Sequence, residues 1–405
     1  MKYAVVLCDG MADLPMKELD GKTPLMAAKK PNIDELALFG EVGLVKTIPD
    51  GMSSGSDVAI LSVLGYDPAR FYTGRSPLEA ISMGVNLLDS DMAFRCNLVT
   101  LSNEKDYADK MMIDYSADGI STEDAKVLIE FLAKNLNTEE LNFFAGVSYR
   151  HCLRWRNAPK DAFKLTPPHD ITGQKIGQFL PGGKNAKILT QLMEKSIQLL
   201  QTHPINLQRI KRGDRPANSI WLWGEGTKPK LNDFGTKYGI KGATISGVDL
   251  IKGIGKACNL EPINVEGATG DFETNYLGKE KAAIKAFNDG YDFVFIHIEA
   301  PDECGHRGDL KGKIKAIEQI DEKIVGNLIK DLQALGTEYR LLIMPDHATP
   351  VSLKTHTNDY VPYLIYDSRN KLKKGYKYDE VRAKDSLVIV KDCSTLMERF
   401  TKNKN

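Results

Sequence analysis

Tyr3-Ala-Val-Val-Leu-Cys8 runs directly into Asp9-Gly10. A short apolar run with an acid at its carboxyl end reads as a parallel strand, buried on both faces, that delivers a functional group to the rim of a sheet. The pattern returns at Phe293-Val-Phe-Ile-His297, before Asp302, and at Tyr339-Arg-Leu-Leu-Ile-Met344, before Asp346. Ser219-Ile-Trp-Leu-Trp223, ahead of Gly224, and Ala243-Thr-Ile-Ser246 are further candidates. Helical patterns stand between them, notably Ala282 to Asn288 and Lys311 to Leu335. Strands alternating with helices predict the α/β class with a mostly parallel sheet. Such sheets bind ligands beyond the carboxyl ends of their strands. Asp9 is far in sequence from Asp302 and Asp346, yet all three fall there.

Pro301-Asp-Glu-Cys-Gly-His306 spaces Asp302 and His306 for one helix face or one turn past a strand. Asp346 and His347 are neighbours, which would point apart on a regular strand, so they can act jointly only from a loop. Pro345 and Ala348-Thr-Pro350 favour such a loop. Thr355-His356-Thr357 follows. Of seven histidines, three lie in these clusters. Carboxylates and imidazoles are the usual ligands of hard to borderline divalent cations. More of them stand here than one ion needs, so a two-metal site is expected. Any one cluster alone would be a helix cap or a satisfied polar residue; their coincidence with Asp9 favours metal.

Gly51-Met-Ser-Ser-Gly-Ser56-Asp57 leads into the apolar stretch Val58–Leu64. Ser56 would open a helix, where free amides and the macrodipole favour an anion such as phosphate. An ordinary N-cap is the plain alternative, and composition does not separate Ser53, Ser54 and Ser56. Beside two cations, a serine there has a use, because coordination turns a hydroxyl into a nucleophile at neutral pH. No Lys-Ser/Thr pair follows, so the loop is not a nucleotide P-loop.

A chain of 405 residues suggests two domains. The middle reads differently: Phe94–Thr100 is extended, Thr122–Leu136 helical, and the loops Thr166–Asp170 and Pro181–Lys184 are rich in Pro and Gly. We expect a smaller α+β domain at 86–190 inserted into a catalytic domain formed by 1–85 and 191–405. Lys+Arg and Asp+Glu are 54 each, which argues against a general nucleic-acid or membrane-surface role. Cys8, Cys96, Cys152, Cys258, Cys304 and Cys393 form no CxxC pair, as expected of reduced thiols in a cytoplasm. No signal peptide or membrane-length apolar run is seen, no protein partner is implied, and the tail from Thr401 is expected to fray.

Taken together, Cys8-Asp-Gly10, Gly55-Ser-Asp57, Leu64-Gly-Tyr-Asp-Pro68, Tyr72-Thr-Gly-Arg75, Ser148-Tyr-Arg-His151, Pro216-Ala-Asn218, Trp221-Leu-Trp-Gly224, Gly267-Ala-Thr-Gly270, Ala300-Pro-Asp302, Pro345-Asp-His347 and Thr355-His-Thr357 carry a resemblance. In order, and over nearly the whole chain, they resemble the archaeal-type cofactor-independent phosphoglycerate mutases of the alkaline phosphatase superfamily. The resemblance implies an alkaline-phosphatase-like sheet sandwiched by helices, with Ser56 as nucleophile. It implies two divalent ions, most commonly manganese, with magnesium or zinc in some members, and no 2,3-bisphosphoglycerate. By analogy with the bacterial enzymes, Asp302, His306 and His356 would hold one ion, and Asp9, Asp346, His347 and Ser56 the other. The inserted domain would grip the carboxylate and phosphate of a small phosphorylated substrate.

Arginine suits such groups, and the middle of the chain offers Arg75, Arg95, Arg150, Arg154, Arg212 and Arg215. Arg150 beside His151 is the first choice. Arg212 and Arg215, spaced like an Arg-Ala-Asp-Arg run of the bacterial enzymes, come next. Lys252 could neutralise the phosphoryl group. Tyr115-Ser-Ala-Asp-Gly119 lacks the histidine that the bacterial loop carries, so His151 or His169 would take that place. The expected reaction interconverts 3-phosphoglycerate and 2-phosphoglycerate through a phosphoserine. The alternatives are a metal-dependent phosphatase or phosphonate hydrolase of the same superfamily, and a non-catalytic metal-binding descendant.

Overall fold

The structure is a computed structural model that describes residues 1–402 apart from 161, 371 and 374. Of the tail expected to fray, residues 403–405 lie outside this description. The strands in chain order are β1 (Lys2–Cys8), β2 (Glu41–Val45), β3 (Met92–Leu101), β4 (Met112–Asp114), β5 (Leu141–Val147), β6 (Arg150–Trp155), β7 (Ser219–Thr227), β8 (Gly242–Ile245), β9 (Glu261–Ile263), β10 (Phe293–Ile298), β11 (Tyr339–Met344), β12 (Val361–Asp367) and β13 (Ile389–Val390). They fall into two compact units, Met1–Tyr72 with Lys230–Asn405, and Thr73–Pro229.

The first unit holds an eight-stranded sheet in the order β13-β2-β12-β11-β1-β10-β8-β9. Of these, β12 runs against the others. Parallel strands need cover on both faces, and β1 shows why its sequence is continuously apolar. Ala4, Val6 and Cys8 pack in one core with Ala283, Ala286, Phe287, Ile317, Ile320 and Leu328 from helices. On the other face the Tyr3 ring meets Phe400 of the helix Leu396–Thr401 at 5.6 Å. The registers Leu7–Met344 and Cys8–Ile298 bring three strand ends level. Asp9, the helix Ala300–Arg307 and the loop at Asp346 therefore start side by side. The expected α/β class, with a mostly parallel sheet between helices and an inserted α+β unit, is the observed one.

The second unit is antiparallel. Strand β3 pairs with β6 and β7, β4 joins its end, and β5 joins β6. Leu98, Val99, Leu128, Leu132, Leu189 and Ile220 lie in its core. The unit is wider than the 86–190 read from sequence, since the helix Ser76–Ser82 and β7 also belong to it. This corrects the reading of Ser219–Trp223 as one more strand of the parallel sheet. Ile220, Trp221 and Leu222 are all buried, so an antiparallel strand covered on both faces imitates a parallel one in sequence.

Candidate active site

All seven residues expected at the metals lie in the first unit and come together beyond β10, β1 and β11. Asp302 and His306 share the helix Ala300–Arg307, with His306 Nε2 3.3 Å from Asp302 Oδ2. His356 Nε2 is 3.4 Å from Asp302 Oδ1. Backbone bridges Met11–Ala348 and Ala348–Thr357 bind the three loops, which seats His356 beside His347. Gly10 has a φ of +59°, and a Cβ there would lie 2.5 Å from Asp302 Oδ1, so only glycine lets the two segments meet. Ser56 opens the helix Ser56–Val63, its Oγ 3.1 Å from His347 Nε2 and 3.4 Å from Asp9 Oδ2.

The donor set fits divalent cations. Asp302, His347 and His356 can offer ligand atoms within 4.8 Å of one another, and so can Asp9, Asp346 and His347. Asp9 Oδ1 and Asp346 Oδ2 are buried without a hydrogen bond, although His347 Nε2 stands 3.6 and 3.2 Å away. Buried carboxylate oxygens left in that state call for a cation. Each histidine is also held by its other nitrogen. His306 Nδ1 is 3.0 Å from Lys354 O, and His356 Nδ1 is 3.0 Å from Ser54 O. A carbonyl only accepts, so both Nδ1 atoms carry hydrogen and both Nε2 atoms present lone pairs, as metal-binding histidines do. Those two Nε2 atoms face each other at 2.8 Å. Without a cation one must take a proton, and the hydrogen bond to Asp302 lifts the pKa of His306 to about 9.

The carboxylates are tuned in opposite directions. Burial raises Asp9 well above the ordinary range, and the nearby charge of Asp346 adds to this. Burial also pushes Asp302 upward, but the hydrogen bonds of His306 and His356 prevail and hold it well below that range. Asp9 has a support that sequence reading missed. His297 Nε2 lies 2.8 Å from Asp9 Oδ2, and its Nδ1 lies 3.0 Å from Ser246 Oγ. A carboxylate only accepts, so His297 gives Nε2–H to Asp9, and Nδ1 of the neutral ring takes the proton of Ser246 Oγ, which itself accepts from Val248 N at 2.9 Å. Burial holds this ring neutral, with a pKa near about 3. A histidine closing an otherwise apolar strand was the available signal.

The substrate candidates are more dispersed. Arg150 and His151 open β6 of the second unit. Arg150 is exposed, its guanidinium 5.6 Å from the Tyr149 ring. Its charge acts on Glu79, which binds Arg75 at 2.8 Å and Arg95 at 3.0 Å. Three arginines against one carboxylate make a cationic cluster. His151 is buried, and its Nδ1 accepts from Gly146 N at 3.0 Å. His169 lies edge-on between the rings of Tyr115 and Trp223. Arg212 pairs with Asp214 at 3.1 Å and Arg215 with Asp114 at 2.8 Å. Lys252 belongs to the first unit, on the helix Asp249–Ala257, 3.9 Å from Asp249.

A family model described as 2,3-bisphosphoglycerate-independent phosphoglycerate mutase matches residues 37–206. The enzyme of that name from Methanosarcina barkeri is 49% identical over 393 residues, covering 96% of this chain and 97% of that one. One from Methanothermobacter thermautotrophicus is 45% identical over 399 residues, covering 98% and 96%. Among solved structures, a cofactor-independent phosphoglycerate mutase from Thermoplasma acidophilum matches with a TM-score of 0.68 at 26% identity, over 99% of both chains. A Pyrococcus horikoshii protein matches with a TM-score of 0.82 at 29% identity, over 100% of this chain and 98% of the other. With nearly half of the positions identical along almost its full length, the chain belongs to the 2,3-bisphosphoglycerate-independent phosphoglycerate mutase family.

Proposed function

We propose that this phosphoglycerate mutase moves the phosphoryl group between the 3- and 2-positions of glycerate through a phosphoserine at Ser56. The observation that carries the reading is the place of Ser56 Oγ, at a helix N-terminus and within 3.4 Å of both His347 Nε2 and Asp9 Oδ2. In this reading Asp302, His306 and His356 hold one divalent cation, and Asp9, Asp346, His347 and Ser56 hold another. Manganese is the first choice, with magnesium or zinc as substitutes. Such ions, when bound, would lower the pKa of the serine hydroxyl and offset charge on the phosphoryl oxygens.

The chain's own part is positional and electrostatic. Ser56 directs its oxygen at phosphorus, in line with the leaving oxygen. The first amides of the helix Ser56–Val63 meet the phosphoryl oxygens, and its macrodipole favours their charge. Asp9 Oδ2, 3.4 Å from Ser56 Oγ, is placed to accept the departing serine proton. The glycerate then turns so that its other hydroxyl faces the phosphoserine and takes the group back, with no bisphosphoglycerate required. Water would hydrolyse the phosphoserine, so it must be kept out. We assign that task, and the grip on the glycerate carboxylate, to the second unit, with Arg150 and His151 ahead of Arg212 and Arg215. Lys252 is assigned to the phosphoryl group.

The test supplies 3-phosphoglycerate and manganese, without 2,3-bisphosphoglycerate, and follows phosphorus by NMR. 2-Phosphoglycerate should appear, and acid quenching should trap phosphate on the peptide carrying Ser56. Release of inorganic phosphate without isomer would make the protein a hydrolase instead.

A further inference from the structure

We infer that Thr349, held in place by Lys313, is a positioning residue that fixes which nitrogen His347 presents to the site. Thr349 is fully buried, and its Oγ1 hydrogen-bonds Asp302 Oδ1 and lies 3.2 Å from His347 Nδ1. A hydroxyl has one proton to give, and a carboxylate only accepts. The proton therefore goes to Asp302. Oγ1 must then accept from His347, which places the imidazole hydrogen on Nδ1 and a lone pair on Nε2. The opposite tautomer has strong local support. Nε2 stands 3.2 Å from Asp346 Oδ2, 3.6 Å from Asp9 Oδ1 and 3.1 Å from Ser56 Oγ, all able to attract a hydrogen. A hydrogen on Nε2 would block that nitrogen toward a cation. Thr349 is the counterweight.

Its own place is set by the backbone. Thr349 N donates to Ala12 O at 3.3 Å. Thr349 O accepts from Lys313 Nζ at 2.8 Å. The same ammonium reaches Asp13 Oδ2 at 2.8 Å and Ala12 O at 3.2 Å, so its three protons have three acceptors. Asp13 Oδ2 also accepts from Val351 N at 3.1 Å. One buried cation thus ties the loop after Asp9 to the loop after His347. Gly305 completes the seat, since a Cβ there would run into the Thr349 carbonyl.

The inference rests on reading His347 as a metal ligand, but its first test does not need activity or metal. Long-range ¹⁵N NMR of histidine-labelled, metal-free protein should show His347 as the Nδ1–H tautomer. Thr349→Val keeps the side-chain shape and removes the hydroxyl; it should move hydrogen density to Nε2, and Thr349→Ser should restore Nδ1–H. Groups that hydrogen-bond the far nitrogen of a metal-binding histidine alter metal affinity by about 10–100-fold. Thr349→Val should accordingly weaken Mn²⁺ binding by at least about tenfold in a calorimetric titration of metal-stripped protein. Nε2–H in the wild type, or an unchanged tautomer in Thr349→Val, would overturn the inference. If wild type binds no Mn²⁺, the metal assignment falls, and the tautomer result still decides the role of Thr349.

Discussion

Histidine tautomers are the residue-scale key to the site. His306, His347 and His356 each have Nδ1 against an oxygen, of Lys354, Thr349 and Ser54 respectively, and each turns Nε2 inward. Cation and proton therefore compete for the same lone pairs. Because the pKa of His306 is lifted to about 9 in the metal-free protein, and that of Asp9 is raised as well, Mn²⁺ binding near pH 7 should release at least one proton. Calorimetry in buffers of different ionisation enthalpy will count it, and affinity should fall as pH is lowered. Ser56→Ala should lower turnover by about 10³-fold or more, as loss of a nucleophile does, while Mn²⁺ binding persists through the remaining ligands.

Glu380 gives a residue-scale test away from the metals. Its oxygens lie 2.6 Å from Thr23 Oγ1 and 3.1 Å from Asp13 N, and burial lifts its pKa from 4.5 to about 7. Between those values the folded state keeps a proton that the unfolded state has lost. Stability from this group is thus full below about pH 4.5 and declines until about pH 7, by on the order of 1–3 kcal/mol. Urea unfolding across that range should show Glu380→Gln with a flatter pH dependence than wild type.

At the scale of elements, the sequence predicts one helix over Lys311–Leu335, whereas the run is a helix Leu310–Gln319, a π turn Ile320–Val325 and a helix Gly326–Ala334. The turn carries Asp321. Its Oδ1 accepts from Ile33 N at 2.7 Å, and its Oδ2 takes Asn32 Nδ2 at 2.8 Å. The helix Pro31–Phe39 has Lys30 at its N-cap and no side-chain cap of its own, so Asp321 supplies one from nearly three hundred residues away. Asp321→Ala should cost about 1–2 kcal/mol, as a lost cap does, seen as a lower urea midpoint with unchanged turnover per folded molecule. Apolar periodicity reports only which face is buried, so neither the π turn nor the remote cap was legible.

Over the whole molecule, every candidate metal ligand belongs to the unit Met1–Tyr72 with Lys230–Asn405. Asp9, Asp302 and Asp346 are all buried there, and a bound cation would relieve their mutual repulsion. Mn²⁺ at a hundred times its dissociation constant should stabilise the protein by about 2.7 kcal/mol for each site it fills. Hydrogen exchange should place the added protection in the segments around Asp9, Ser56, Asp302, His347 and His356, and not in Thr73–Pro229. Protection confined to the second unit would contradict the ligand assignment.

The sequence by itself determined the parallel sheet, because strands buried on both faces must be continuously apolar and must end in residues that can face a ligand. It also pointed to the candidate ligands, since Asp9, Asp302, His306, Asp346, His347 and His356 stand out by chemistry and position. Tertiary structure alone decided the rest. Ser219–Trp223 joined an antiparallel sheet because burial, not strand direction, is what an apolar run encodes. His297, Thr349 and Lys313 entered the site through contacts across the fold, and a proton's place on an imidazole is set by whatever oxygen packing puts beside it.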